Sequence, residues 1–196
     1  MPAKRMPREQ RRTQLLETAS AIVRAEGTDA LTLAHLAERA GVTKPIAYEH
    51  FGTRAGLLIA LYRHYDDLQA QATQAALASR ARTLEDVVAI LSAAYVDCVL
   101  TAGPEFGAIA AALSGAQEME GFREALRDGY VDLYGQALSR FVDLPGPDGR
   151  AVLLGIIGAA DALSYAAANG RMARAAAVGA LSRIMLGAVS PGAEAR

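Results

Sequence analysis

TLAHLAERAGVTKPIAYEHFGTRAGLL, residues 32–58, sets two short helices around a glycine turn. In the first, Leu33, Leu36, Ala37 and Ala40 recur at the three- and four-residue spacing that gathers apolar side chains onto one helix face. Thr32 stands before them as an N-cap, its hydroxyl able to satisfy a free backbone N–H. Gly41 follows the last periodic residue, where freedom to adopt positive φ lets the helix stop and the chain reverse. Thr43 is expected to cap the next helix. Pro45 falls in that helix's first turn, where a missing N–H costs nothing. Ala47 and Phe51, four apart, share one face, and Lys44, Pro45 and Tyr48 project from the other. Two such helices bury too little surface alone, so a third is expected beside them. Leu15, Leu16, Ala19, Ile22 and Val23 supply its apolar stripe between Arg8 and Glu26, with Gly27 as a stop.

The polar side of the second helix carries donors that suit phosphate oxygens: the hydroxyls of Thr43 and Tyr48, the imidazole of His50 and the forked guanidinium of Arg54. Lys44 can donate to guanine and Ile46 can touch a thymine methyl, which is readout in the major groove. The plain alternatives are Tyr48 as a half-buried aromatic and His50 as a partner of the helix dipole. GVTKPIAYEHF, residues 41–51, resembles the recognition segment of the TetR family of bacterial transcriptional regulators, and the likeness is specific over residues 8–62. The resemblance implies that Thr43, Tyr48 and His50 contact phosphates, with Arg54 where the family usually carries lysine. It implies further that Lys44, Pro45 and Ile46 approach base edges; Thr32 is grouped with this DNA-facing set. Ala47 and Ala55 depart from the pattern, the first where a larger aliphatic is common and the second where an acid often opens the fourth helix.

A net charge of -1 looks wrong for a nucleic-acid binder until its distribution is read. Residues 1–54 hold nine Lys or Arg against six Asp or Glu, and the remainder holds eleven against fifteen. Lys4, Arg5, Arg8, Arg11 and Arg12 face only Glu9 in the first twelve residues, which reads either as a basic arm along the phosphate backbone or as a solubilising tail. An enzyme has little support. His35, His50 and His64 all lie in the first third, Glu118 and Glu120 do not share a helix face, and phosphate-loop, dinucleotide and nucleophile-elbow motifs are missing. No catalytic residue, metal site or cofactor is expected. The N-terminus lacks the apolar run of a secretory signal, and 151–168, broken by Asp161 and dominated by Ala and Gly, reads as too weakly apolar to span a membrane. A cytoplasmic protein is expected. The single cysteine, Cys98, suits a reducing compartment and reads as a core thiol, with redox sensing as the alternative.

From Leu57 onward the pattern is helical throughout: Thr53 is expected to cap a fourth helix carrying Leu57, Leu58, Leu61, Tyr62, Tyr65 and Leu68, and further helices are expected from Thr83 to Ala102, over 105–114, over 118–142 and, after the loop LPGPDG, over 148–169 and 172–189. The fold class is all-α, about nine helices by periodicity: a three-helix helix-turn-helix DNA-binding domain over 1–54 and a helical ligand-binding and dimerisation domain over 55–196. Gly155 and Gly158 cost stability inside a helix and so call for a packing reason. The resemblance implies a homodimer built from the last two helices as a four-helix bundle, with Val152, Ile156, Leu163, Leu181 and Ile184 as candidates for the seam. The alternative places them in the chain's own core. Tyr95, Phe106, Phe122, Tyr130 and Tyr165 are candidates to line an apolar cavity between the fourth and eighth helices, with Asp161, Asp97 and Asn169 as its polar groups. The expected partners are a palindromic double-stranded DNA operator, a small-molecule effector that releases it, and a second copy of the chain; no membrane is expected. By the family's habit the regulator is a repressor. An adaptor whose body binds a protein is the alternative.

Overall fold

Apolar residues spaced by three and four become helix wherever the sequence carries them. The computed structural model describes residues 6–101 and 117–190, among which there is no strand. The described helices are α1 (Arg8–Glu26), α2 (Leu33–Arg39), α3 (Lys44–Phe51), α4 (Arg54–Arg80), α5 (Leu84–Thr101), α6 (Gln117–Leu138), α7 (Gly146–Ala168) and α8 (Arg174–Val189), with a single 3₁₀ turn at Thr28–Ala30. The helix expected over 105–114, and Phe106 with it, lies outside the described residues, as do Lys4 and Arg5.

Two boundaries differ from the sequence reading. α4 runs on to Arg80, well past Leu68, because the Ala- and Gln-rich stretch that follows has no breaker. α7 starts at Gly146, inside the expected loop, because Pro147 falls in its first turn, where proline's fixed φ suits the helix.

The chain divides into two units, one running from the N-terminus to Asp67 and one containing 68–101 and 121–190. The first half of α4 belongs with the head: Leu57, Leu58 and Leu61 are buried, and Tyr65 and Ser20 of α1 share a short hydroxyl–hydroxyl hydrogen bond. Leu15, Leu16, Ala19, Ile22 and Val23 on α1, with Leu33, Leu36 and Ala37 on α2, are buried in the head as well, as are Leu31, Ala47, Phe51 and Ala60. The α4 start is capped by Thr53, whose hydroxyl accepts from Gly56 N at 3.0 Å, as the sequence predicts.

In the second unit α5, α7 and α8 pack on one another. Val88 and Leu91 of α5, Tyr134 and Leu138 of α6, Ile156 and Ile157 of α7, and Leu181 and Met185 of α8 share its core. Thr83 and Asp86 close a capping box at the start of α5: Asp86 N donates to Thr83 Oγ1 at 3.2 Å, and the Asp86 carboxylate accepts from Thr83 N at 3.0 Å and Arg82 N at 2.9 Å. Those backbone donors hold its pKa below the usual carboxylate value, so the cap is in force above the ordinary carboxylate range and is lost as pH falls through the lowered one.

By length and composition alone α7 passes as a membrane-crossing helix, a test that the apolar core helix of a globular protein passes as well. Only 28% of its most apolar window is buried inside the chain. One face is packed, and the other is uncovered.

Candidate nucleic-acid interface

The α2–α3 turn follows from local chemistry. Thr32 Oγ1 accepts from His35 N at 3.1 Å, which makes it the N-cap of α2. At the other end Gly41 takes φ 67, Val42 N donates to Ala37 O at 2.9 Å and Gly41 N donates to Glu38 O at 3.2 Å. This pair of bonds satisfies the last carbonyls of the helix, and an L side chain at Gly41 would be strained in that left-handed conformation. Thr43 then takes the N-cap position of α3, but its side chain makes no cap hydrogen bond. The expected cap is positional only, and the hydroxyl is left available for another acceptor.

α3 presents two faces. Ala47 is fully buried and Phe51 nearly so, while Thr43, Lys44, Pro45 and Glu49 are exposed and Ile46 and His50 are half-buried. Tyr48, 52% exposed, is not a half-buried core aromatic. The polar side foreseen from the sequence is open to solvent.

The far end of α3 is held from a distance. Arg12 of α1 donates from Nη1 to His50 O at 2.9 Å, and its guanidinium lies 5.0 Å from the Phe51 ring centroid. A cation on the last carbonyls of a helix opposes the negative end of its dipole. His50 has its pKa lowered below the ordinary histidine value, first by desolvation and then by the charges of Arg12 and Arg8, with Glu49 and Glu9 acting the other way. Neither Arg12's role nor the cleft formed by Met6, Arg8, Arg11, Ile46, Glu49 and His50 is visible in the sequence, since these groups are about forty residues apart.

Arg54 is engaged within the head. Its Nε donates to Leu31 O at 2.9 Å and its Nη2 to Thr28 O at 2.7 Å, with Asp29 at 3.8 Å. The guanidinium braces the connection before α2. Glu26 does similar work, pairing with His35 and Arg39 at 3.0 Å each.

In the second unit the structure brings together part of the expected cavity lining. The Tyr95 and Tyr130 ring centroids are 5.2 Å apart, those of Tyr130 and Tyr134 are 6.5 Å apart, and Tyr95 donates its hydroxyl to Asp161 at 2.6 Å. Asp161 is itself exposed, so its carboxylate is solvated as well as hydrogen-bonded. Tyr134, which the sequence reading passed over, is buried and donates to Leu91 O at 3.3 Å; desolvation raises its pKa, with Cys98 and Asp161 adding to the shift. The cavity these tyrosines share with Cys98 and Leu133 measures only about 10 Å³, room for one water. A wider open groove of about 530 Å³ lies between α4 and α5, lined by Gln69, Ala72, Thr73, Ala76, Ile90 and Asp97, and shares Gln69, Thr73 and Ala94 with the tyrosine cavity. Phe122 is buried. Tyr165, 63% exposed, does not join the cluster, and Asp97 is occupied by Arg174 at 2.5 and 2.6 Å. Asn169 turns back on its own helix, donating to Tyr165 O at 2.8 Å.

The proposed seam residues also divide. Ile156 and Leu181 belong to the chain's own core, and Val152 and Leu163 pack partly against it; of the five only Ile184 is exposed. A helix that is apolar all round gives no sequence signal for which face turns inward. The uncovered face of α7 carries Ala151, Leu154, Gly155, Gly158, Ala162 and Tyr165. A Cβ at Gly155 or Gly158 would meet nothing within 4 Å in the single chain, so the packing reason expected for them is not found inside it.

Comparison with known proteins gives the same outline. Residues 15–66 match the family described as bacterial regulatory proteins, tetR family. Over 72 residues the chain is 43% identical to the HTH-type transcriptional activator FasR of Mycolicibacterium smegmatis, a match covering 36% of this chain and 33% of that one. The chain thus spans about a third of that relative's length. Among solved structures, the fatty acid degradation regulator FadR of Bacillus halodurans superposes with a TM-score of 0.67 at 19% identity, covering 98% of this chain and all of that one. The SmeT–triclosan complex gives a TM-score of 0.66 at 18% identity over 93% of each chain. At these identities the likeness is one of fold.

Proposed function

By its residues 15–66 the chain is a member of the tetR family of bacterial regulatory proteins, and from that premise we propose that it binds a palindromic DNA operator as a homodimer and releases it when a small molecule occupies its second unit. The open polar face of α3, with Thr43, Lys44, Pro45 and Tyr48 exposed opposite the buried Ala47 and Phe51, carries this reading. Thr43, Tyr48 and His50 hold phosphates and Lys44, Pro45 and Ile46 meet base edges. Two copies related by a two-fold axis read half-sites about 34–36 Å apart or a multiple of that. Bound across a promoter, such a dimer represses. The cytoplasm is where it would meet DNA.

The effector enters by the groove between α4 and α5 and extends toward Tyr95, Tyr130 and Asp161, since groove and cavity share Gln69, Thr73 and Ala94. α4 contributes to both units, so a ligand that rearranges 68–80 acts on the helix that carries Leu57, Leu58 and Leu61 in the head. Moving such an equilibrium from 99:1 to 1:99 takes about 5.5 kcal/mol of differential affinity, which calls for an enclosed, largely apolar ligand. The solved fold-relative SmeT was captured with triclosan, an example of a small molecule held by this fold. Selecting genomic fragments on the purified protein, then screening small molecules for thermal stabilisation, tests the proposal. Compounds that raise the melting temperature should also displace the selected fragment. An adaptor for a protein partner would gain stability from none of them.

Operator binding should also depend on pH. In the free protein the lowered pKa keeps His50 neutral near pH 7, and a phosphate beside it favours the protonated ring, so binding takes up a proton and tightens as pH falls below the ordinary histidine value. Replacing Arg12 with methionine removes one of the charges that depress His50, which should move that pH dependence upward while the head's own cap at His50 O is lost. Equal affinities from pH 8 to pH 5.5 would take His50 out of the phosphate set.

A further inference from the structure

We propose that Glu49 is a specificity-determining residue that reads a cytosine in the major groove of the operator. The inference rests on the DNA-reading role of α3 given above.

At about 100° per residue, Glu49 stands about 160° around α3 from each of the two buried residues, Ala47 and Phe51. With Pro45, one turn earlier, it forms the crest of the exposed side of α3, beside the cleft it lines with Met6, Arg8 and Arg11. Tyr48 flanks that crest on one side and Ile46 on the other. Glu49 is exposed and forms no ion pair among the described residues, although Arg8 and Arg11 line the same cleft. Among the described residues no hydrogen bond or ion pair fixes its carboxylate.

A carboxylate at the crest of a reading helix is a strong chemical restriction. It accepts hydrogen bonds and donates none, and it is repelled by phosphate, so a position near the backbone would weaken all binding. On the major-groove floor guanine offers two acceptors and thymine one, and adenine sets an acceptor beside its amino group. Cytosine alone presents an amino donor with no neighbouring acceptor, and it is the partner a lone carboxylate selects. The expected discrimination at this base pair is about 5- to 150-fold, the range for a good side-chain–base contact.

The test selects half-sites from a randomised duplex library on the full chain at one fixed salt concentration, comparing wild type with Glu49→Gln and Glu49→Ala. Because Glu49 is solvent-exposed, both variants should fold, which circular dichroism checks. Wild type should enrich one C·G pair per half-site. Glu49→Gln should transfer that preference to adenine, whose N6 and N7 suit the amide, and Glu49→Ala should lose preference at that pair alone. If both variants keep the wild-type preference at every position, and Glu49→Ala binds all sequences more tightly, Glu49 is a repulsive surface group and the proposal fails while the DNA-reading role stands. If wild type enriches no sequence at all, that role fails and this proposal with it.

Discussion

Replacing Gly56 with alanine should destabilise the head by about 2–3 kcal/mol, near the top of the usual range for forcing an extra methyl into a packed site. A Cβ there would stand 2.3 Å from Phe51 O and 3.5 Å from Phe51 C. These are backbone atoms, so no side chain can swing aside. The turn between α3 and α4 would have to open. It is tight for a reason visible in its bonds: Gly52 takes φ 67 and ψ -63, Gly52 N donates to Tyr48 O at 2.8 Å, and Thr53 N donates back to Phe51 O at 2.7 Å. Opening it also breaks the Thr53 cap on α4 and shifts Phe51, the buried side chain that anchors the reading helix. Amide exchange in α3 and the first turns of α4 should therefore quicken, and affinity for DNA should fall with it. Unchanged exchange and an unchanged melting temperature would show that the turn has room the geometry denies it.

Placing the proposed homodimer seam on the uncovered face of α7 predicts the opposite pattern for Gly158 to leucine, a chain that stays folded and no longer dimerises. Within one chain nothing lies within 4 Å of a Cβ at this site, and leucine is a better helix former than glycine. Across an isologous two-fold seam each substitution counts twice, so overpacking of about 1–3 kcal/mol per copy becomes about 2–6 kcal/mol for the pair, or about 30- to 20,000-fold in the dimer constant. Sedimentation should report a monomer with a normal helical spectrum, and binding to a two-half-site operator should collapse to that of a single half-site. A variant that remains dimeric would move the seam away from the Ala151–Gly155–Gly158–Ala162 face.

What could be read from the sequence was mostly what short-range chemistry decides. Thr32 and Thr53 cap, Gly41 reverses the chain and Pro45 opens α3, each by a rule that acts within a few residues. The burial of Ala47 and Phe51 against the exposure of Pro45 followed from helical spacing, whereas Lys44, three residues before Ala47, is exposed where the helix opens. Long-range pairings were out of reach. Nothing local tells that Arg12 caps the carbonyl of His50, or that Arg54 donates to Thr28 O and Leu31 O. In the second unit periodicity located α7 and α8 but could not choose the inward face, because Ile156 and Leu154 are equally apolar and only tertiary packing separates them. The tyrosine cluster was half legible: Tyr95, Tyr130 and Asp161 meet, Tyr165 points elsewhere, and Tyr134 carried no sequence mark beyond its residue type.

The central claim is that α3 lies in duplex DNA with Tyr48 on the phosphate backbone. Fluorescence anisotropy on a genome-selected duplex and on a scrambled one, at several salt concentrations, measures this for wild type and for Tyr48→Ala. Wild type should prefer the selected duplex, and its affinity should fall with salt at a log-log slope of about -0.9 per neutralised phosphate. Tyr48→Ala should weaken binding to both duplexes by about the same factor, roughly tenfold for a lost hydrogen bond to a charged group, with the sequence preference kept. Tyr48→Ala binding as tightly as wild type, with no salt dependence in either, would contradict the account.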